Sequence, residues 1–297
     1  MLGTVSSSPV YVPTINDNLK DFDKLFLLWN RISQVECNVV FKFNKCRFLR
    51  QNAVAFLGAL FHFFDSQGKK ISIDTNSFQS GVYQNLQQNG FMYSLGHGSE
   101  PWEGNSIPYR KDQIKDSNAI VEYLNQSWLG RDWINIDSHL QQRIISNTLE
   151  IYENAFEHGG DNVCVFSCGQ YYPQLKQLKF SIVDLGVGIP YNVRNYLQEN
   201  DLSARDALRW SFQSGHTTKR GHCPSGVGLD TLKQFVQMND GKLEIFSHDG
   251  YAIIGKNKER YNNRELKFDG TLVNITFRCD GCSSYSRNNF KSGKSYF

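Results

Sequence analysis

The stretch Glu150-Ile-Tyr-Glu-Asn154-Ala-Phe-Glu-His158-Gly-Gly160 decides how this chain is read. It closes a long helical pattern, Ser138 to Glu157, whose apolar side carries Leu140, Ile144, Ile145, Leu149 and Tyr152. Gly159 and Gly160 end that helix. Glu150, Asn154 and His158 are each four residues apart, so their side chains stack in one row on the helix. A carboxylate, a carboxamide and an imidazole in a row suit a divalent metal holding a polyphosphate. Asn supplies an oxygen ligand, and Glu can orient a water or hydroxyl. A solvated polar face fits the same row when it is taken alone.

Further along the chain, Lys179 to Val183 alternates as a strand, and Asp184 stands at its end. Gly186 and Gly188 follow in the run VDLGVGIP, where glycine lets the backbone turn tightly beside a ligand. A carboxylate at that place can accept a hydrogen bond from an amino group. The run SGVGL, Ser225 to Leu229, opens a helix that continues to about Met238. Small residues there leave backbone N–H groups free, and the helix dipole favours an anion beside them. A tight entry turn fits the same glycines. Between these motifs, Ser214 to Pro224 is polar and basic and contains Thr218 and Lys219. It reads as a mobile loop, either a phosphate-covering lid or an ordinary surface loop. Gly270-Thr271 begins a last strand, Leu272 to Phe277.

In order and spacing these four pieces resemble the nucleotide-binding fold of the GHKL superfamily, which includes gyrase-type ATPases and histidine kinases. The resemblance covers roughly residues 130–278. It implies a Bergerat-type α/β sandwich with a mixed sheet and helices on one face, and ATP and Mg²⁺ as cofactors. By resemblance Asn154 holds Mg²⁺ against the phosphates and Glu150 polarises the attacking water, with His158 in the same row. Asp184 takes the adenine amino group, with Gly186 and Gly188 beside it. Thr218 and Lys219 of the lid, and Gly226, Val227, Gly228 and Leu229, lie at the phosphates. Thr271 supports the adenine pocket. The ending NAFEHGG looks closest to the anti-sigma serine kinases.

The first hundred residues read differently. Asn38–Phe43 and Lys69–Asp74 read as strands, and Asn52–Phe64 and Gln79–Gln88 as helices, the latter ended by Gly90. Leu19, Phe22, Leu25, Phe26, Trp29 and Ile32 fall at helical spacing upstream. Strands alternating with helices favour a sheet covered by helices. The pattern, with CRFLRQNAVAFLGAL at its centre, resembles a STAS domain, the fold of anti-sigma-factor antagonists. Where those antagonists place Asp-Ser before the helix, this chain has Arg50-Gln51, and Gln51 cannot accept a phosphate. The resemblance therefore implies a docking or scaffold module. The Gly-, Pro- and Ser-dense stretch Gly96–Pro108 marks a boundary. The expected layout is a STAS-like domain over 1–100, an ATP-binding domain over 112–280 and a polar tail over 281–297.

Composition agrees with a folded chain. Of 297 residues, 40% are apolar and 13% aromatic, enough for buried cores and too many for a disordered chain. The formal charge of +3 gives no direct sign of nucleic acid or an acidic membrane as partner. The longest nearly apolar run, Ala53 to Phe64, is interrupted by His62 and is shorter than the roughly 20 residues a membrane span needs. Seven scattered cysteines and no signal-peptide pattern at MLGTVSSSP point to a reducing, cytoplasmic setting. Cys279 and Cys282, and Cys164 and Cys168, form close pairs but lack a zinc-finger spacing. No Walker loop is present. The expectation is a Mg-ATP-binding protein acting on a protein partner, with a homodimer among its assemblies. An ATPase or ATP-gated switch ranks first. A serine/threonine kinase ranks second, and a non-catalytic nucleotide-sensing adaptor is a further alternative. A histidine kinase ranks last, because no dimerising helix pair precedes the ATPase region.

Overall fold

The computed structural model describes residues 7–158, 163–213, 215–216 and 228–280. The chain opens with β1 (Ser7–Tyr11), α1 (Leu19–Ser33), β2 (Asn38–Lys42), α2 (Gln51–Ser66) and β3 (Ile71–Ile73). These strands pair in parallel in the order β1-β2-β3, as strand–helix alternation demands. β3 is shorter than the Lys69–Asp74 pattern indicates, because only Ile71–Ile73 meets β2. Two short helices follow, α3 (Ser80–Gln88) and α4 (Phe91–Ser94), with left-handed Gly90 at the corner between them.

β4 (Ser106–Asp112) begins inside the stretch read as a boundary loop and forms one edge of a second sheet. Next come α5 (Ser117–Tyr123), α6 (Ser138–His158), β5 (Val165–Tyr172), β6 (Gln177–Asp184), α7 (Gly188–Leu197) and α8 (Ala204–Ser211). The chain then forms α9 (Gly228–Met238), β7 (Lys242–Gly255) and β8 (Lys258–Arg278). The second sheet has the order β4-β5-β6-β8-β7, and all its pairings are antiparallel. The expected mixture of parallel and antiparallel strands is thus divided between the two sheets.

Strand alternation assigns the faces of the second sheet. Leu178, Phe180 and Ile182 of β6, and Val273, Ile275 and Phe277 of β8, belong to one core. That core also holds Ile144, Ile145 and Tyr152 of α6 and Leu232, Phe235 and Val236 of α9. The intervening residues, Cys164, Phe166, Cys168, Val183, Phe246 and Leu272, face a second core shared with α1 and α2. Helices that follow β4, in the second unit, therefore cover one face, and the elements from β1 to α4, the first unit, seal the other. Phe246 lies 4.3 Å from Phe22, and Phe268 lies 5.2 Å from Phe56, ring centre to ring centre. Such aromatic pairs contribute about 0.5–1.5 kcal/mol each beyond their buried area.

A polar network runs through the same junction. Gln51, at the start of α2, donates to Asn274 Oδ1 at 3.0 Å and accepts from the Tyr172 hydroxyl at 3.0 Å. Ser181 also donates to Asn274 Oδ1, at 2.7 Å, and Asn274 donates to Glu244 at 2.8 Å. Lys179 of β6 pairs with Asp17, and Arg50 lies 3.4 Å from the same carboxylate. Gln51 is thus buried and engaged by side chains of β5, β6 and β8.

Candidate functional site

β6 and β8 run antiparallel with Asp184 opposite Thr271. The alternation that sends Ile182 and Val273 to the helix side sends Asp184 and Thr271 there too. Gly270 and Thr271 do not begin a strand as the pattern predicts. They lie inside β8, which runs from Lys258 as one arm of a long hairpin with β7. The polar composition of 258–269 hid that arm, because most of those residues are exposed.

Asp184 is 7% exposed. Its Oδ1 accepts the Gly186 N–H at 2.9 Å, and Thr271 hydrogen-bonds the same carboxylate. Burial pushes the carboxyl up to about 6, and the Gly186 and Thr271 hydrogen bonds pull it partly back. Among the described residues no cationic side chain acts on it. The site is therefore a buried acceptor served by neutral donors, which suits a neutral N–H-bearing ligand.

The turn after Asp184 is held by two residues that the sequence reading did not single out. Ser247 of β7 is fully buried; it accepts the Ile189 N–H at 3.0 Å and bonds Gly270 O at 2.8 Å. His248 Nε2 donates to Val187 O at 2.7 Å, with the imidazole held mostly neutral by burial. Gly188 has φ 77°, and a Cβ there would come within 2.8 Å of both Ser247 Oγ and His248 Nε2. The glycine thus serves a positive φ and a close approach together. A bulge in the β7–β8 pairing at Ser247–His248 aims these two side chains, and bulges carry only a weak sequence signal.

Glu150 and Asn154 are half-buried on α6, while Tyr152 and Ala155 point into the helix-side core. α6 packs against α9, so the helices of the first and third motifs are neighbours. His158 is the last residue of α6, and Gly228 the first of α9; Leu229 packs against the helix-side core. Gly159, Gly160, Thr218, Lys219, Gly226 and Val227, most of the Ser214–Pro224 loop and the tail with Cys282 lie outside the described residues. Among the described residues no three His, Cys, Asp or Glu side chains gather to hold a metal, and Cys168 and Cys279 are free thiols. No described helix is long and apolar enough to cross a membrane.

No family model matches the chain. It is 25% identical over 189 residues to the adaptive-response sensory kinase SasA of Parasynechococcus marenigrum strain WH8102, covering 60% of this chain and 46% of the relative. It is 26% identical over 186 residues to SasA of Synechococcus sp. strain CC9902, covering 59% and 45%. The chain spans less than half the length of these curated relatives. Among solved structures, the ATP-binding domain of topoisomerase IV from Francisella tularensis, in complex with a small-molecule inhibitor, matches 63% of this chain and 45% of that one. Its identity is 14% and its TM-score 0.28.

Proposed function

We propose that this chain binds Mg-ATP as GHKL proteins do, and works as a slow ATPase or ATP-gated switch on a protein partner. The observation that carries the reading is the buried Asp184 carboxylate set opposite Thr271 on the helix side of the sheet. A carboxylate with only neutral donors around it among the described residues is completed by an adenine amino group. The similarity to sensory kinases over 189 residues supports a nucleotide as ligand.

The residues present fit the implied groups. Asn154 and Glu150 offer oxygen donors on one helix face, half-buried, as a hard cation with phosphate requires. In this reading Asn154 holds Mg²⁺, which when bound neutralises phosphate charge, and Glu150 orients the attacking water as a general base. His158, Thr218, Lys219 and the Gly226–Leu229 stretch border the phosphates, and Gly186, Gly188 and Thr271 border the base. The first unit acts as a STAS-like scaffold over 1–100, followed by the ATP-binding domain over 112–280 and the tail over 281–297. The buried Gln51 supports a scaffold role for that unit, because a switch residue must be reachable.

The likeness to relatives named as kinases favours a second reading, phosphoryl transfer to a serine or threonine of another chain. Purified protein incubated with γ-labelled ATP separates the readings. Free phosphate supports the ATPase, a labelled partner chain supports the kinase, and bound but unconsumed ATP leaves a nucleotide-sensing adaptor. Absence of ATP binding overturns all three.

A further inference from the structure

On the α2 side of the second sheet, where the first unit meets β4, lies a cleft of about 290 Å³. That is the low end of the roughly 300–1,000 Å³ of small-molecule pockets. Phe61, Ile73 and Leu95 form its apolar wall, and His62, His97 and Lys111 supply its polar lining. Asp65 is its single carboxylate, on an exposed position.

The polar groups are ordered by a chain of contacts. Lys111 Nζ lies 3.1 Å from His62 Nδ1, and His62 Nε2 lies 3.1 Å from Cys164 Sγ. An ammonium has only hydrogens to give, so Nδ1 accepts and Nε2 carries the ring hydrogen toward the thiol. Burial, then the charge of Lys111, keeps His62 neutral. Lys111 is thus a cation at the cleft, oriented by an imidazole that itself contacts Cys164, the residue before β5. One of its N–H groups is used on His62, which leaves two for a ligand.

We propose that this cleft is a binding site for a small molecule with an anionic head and an apolar body. Lys111 receives the head, with His62 and His97 beside it, and Phe61, Ile73 and Leu95 receive the body. The site joins α2, β3 and α4 of the first unit to β4 of the second sheet, so an occupant touches both units. It lies on the face of that sheet away from Asp184 and does not depend on the nucleotide reading.

Calorimetry on the full chain with naphthoate as probe, and neutral naphthamide as its control, tests this. Naphthoate should bind at least about tenfold more tightly than naphthamide, the effect of a charge-assisted hydrogen bond. Lys111→Met should abolish that difference while circular dichroism stays unchanged. Leu95→Glu, which adds a carboxylate to the lining that holds Lys111, should abolish naphthoate binding by itself. Asp184→Asn should bind naphthoate as the wild type does. No binding to the wild type, equal affinity for acid and amide, or loss in Asp184→Asn but not in Lys111→Met would each overturn the proposal.

Discussion

Asp184 and Thr271 face each other across β6 and β8, and Gly270, next to Thr271, has φ 129° with no room for a side chain. A Cβ on Gly270 would fall 2.2 Å from the Asp184 carbonyl oxygen, a backbone atom that cannot swing aside. Gly270→Ala therefore combines an unfavourable dihedral with a backbone clash. It should lower stability by about 1–3 kcal/mol, read from the urea midpoint. It should also separate the two side chains proposed to hold the adenine, so nucleotide affinity should drop with it. A wild-type midpoint and affinity would show that β6 and β8 do not pair as described.

Asp184→Asn should divide stability from binding. Burial raises the Asp184 carboxyl from 3.8 to about 6, so the folded chain holds its proton more tightly than the unfolded one. The stabilisation from that protonated form is complete below the unfolded value and is lost as pH rises through about 6. The loss amounts to about 3 kcal/mol as an order of magnitude. Asparagine stays neutral, so the variant should gain on the wild type between pH 4 and pH 7 in denaturant titrations. Its ATP affinity should still fall by about tenfold to a hundredfold, because a charge-assisted bond to the amino group is gone. Wild-type affinity should also weaken as pH drops below about 6, with the carboxylate titrating. Unchanged affinity in Asp184→Asn would remove Asp184 from the site.

Ser247 ties β7 to two other segments through one hydroxyl: Ile189 after the glycine turn, and Gly270 and Thr271 of β8. Ser247→Ala strands a part-buried N–H and a buried carbonyl, at a cost of about 1–3 kcal/mol. Hydrogen exchange at Ile189 should accelerate more than exchange at Phe180 in mid-β6. Uniform acceleration across the sheet would mean that Ser247 only supports the fold.

How much of this was legible in the sequence follows from which signals are local. Asp184 at a strand end, the α6 stripe and the strand–helix alternation of the first unit are written in neighbouring residues. They appear in the structure where the pattern puts them. The long polar arm of β8 was not legible, because an exposed hairpin lacks hydrophobic alternation. Ser247 and His248 were not legible either, because a bulge aims them at a turn some 60 residues earlier in the chain. The seal of α1 and α2 on the sheet was not read from the sequence. β5 is buried along nearly all its length, as a strand covered on both faces must be, but nothing local names what covers it.

The junction around Gln51 can be tested by itself. Gln51→Ala leaves the Tyr172 hydroxyl without its acceptor and takes a donor from Asn274. It should cost about 1–3 kcal/mol. Tyr172→Phe in the same background should then cost less than it does in the wild type, because the bond it removes is already broken. Strict additivity in that double-mutant cycle would show that the two residues are not coupled, and the scaffold reading of the first unit would lose its support.

Glu150→Ala and Asn154→Ala should fail in different ways, although both residues are half-buried on one face of α6. Asn154 is proposed to hold Mg²⁺, so its loss should weaken ATP binding in magnesium and erase most of the metal dependence. Glu150 is proposed to orient the water, so its loss should leave ATP bound and stop turnover. A positioned general base contributes about 10²–10⁴ in rate, and the loss should fall in that range. Turnover and equilibrium binding measured on both variants, with and without magnesium, give a pattern that no single defect reproduces. A misfolded variant would lose binding in both conditions. A kinase that uses Glu150 on a protein hydroxyl would lose labelling of the partner chain while its release of free phosphate stayed low throughout. If Glu150→Ala hydrolyses ATP at the wild-type rate, the base lies elsewhere, the ATPase mechanism fails, and nucleotide sensing without catalysis becomes the better reading of the same pocket.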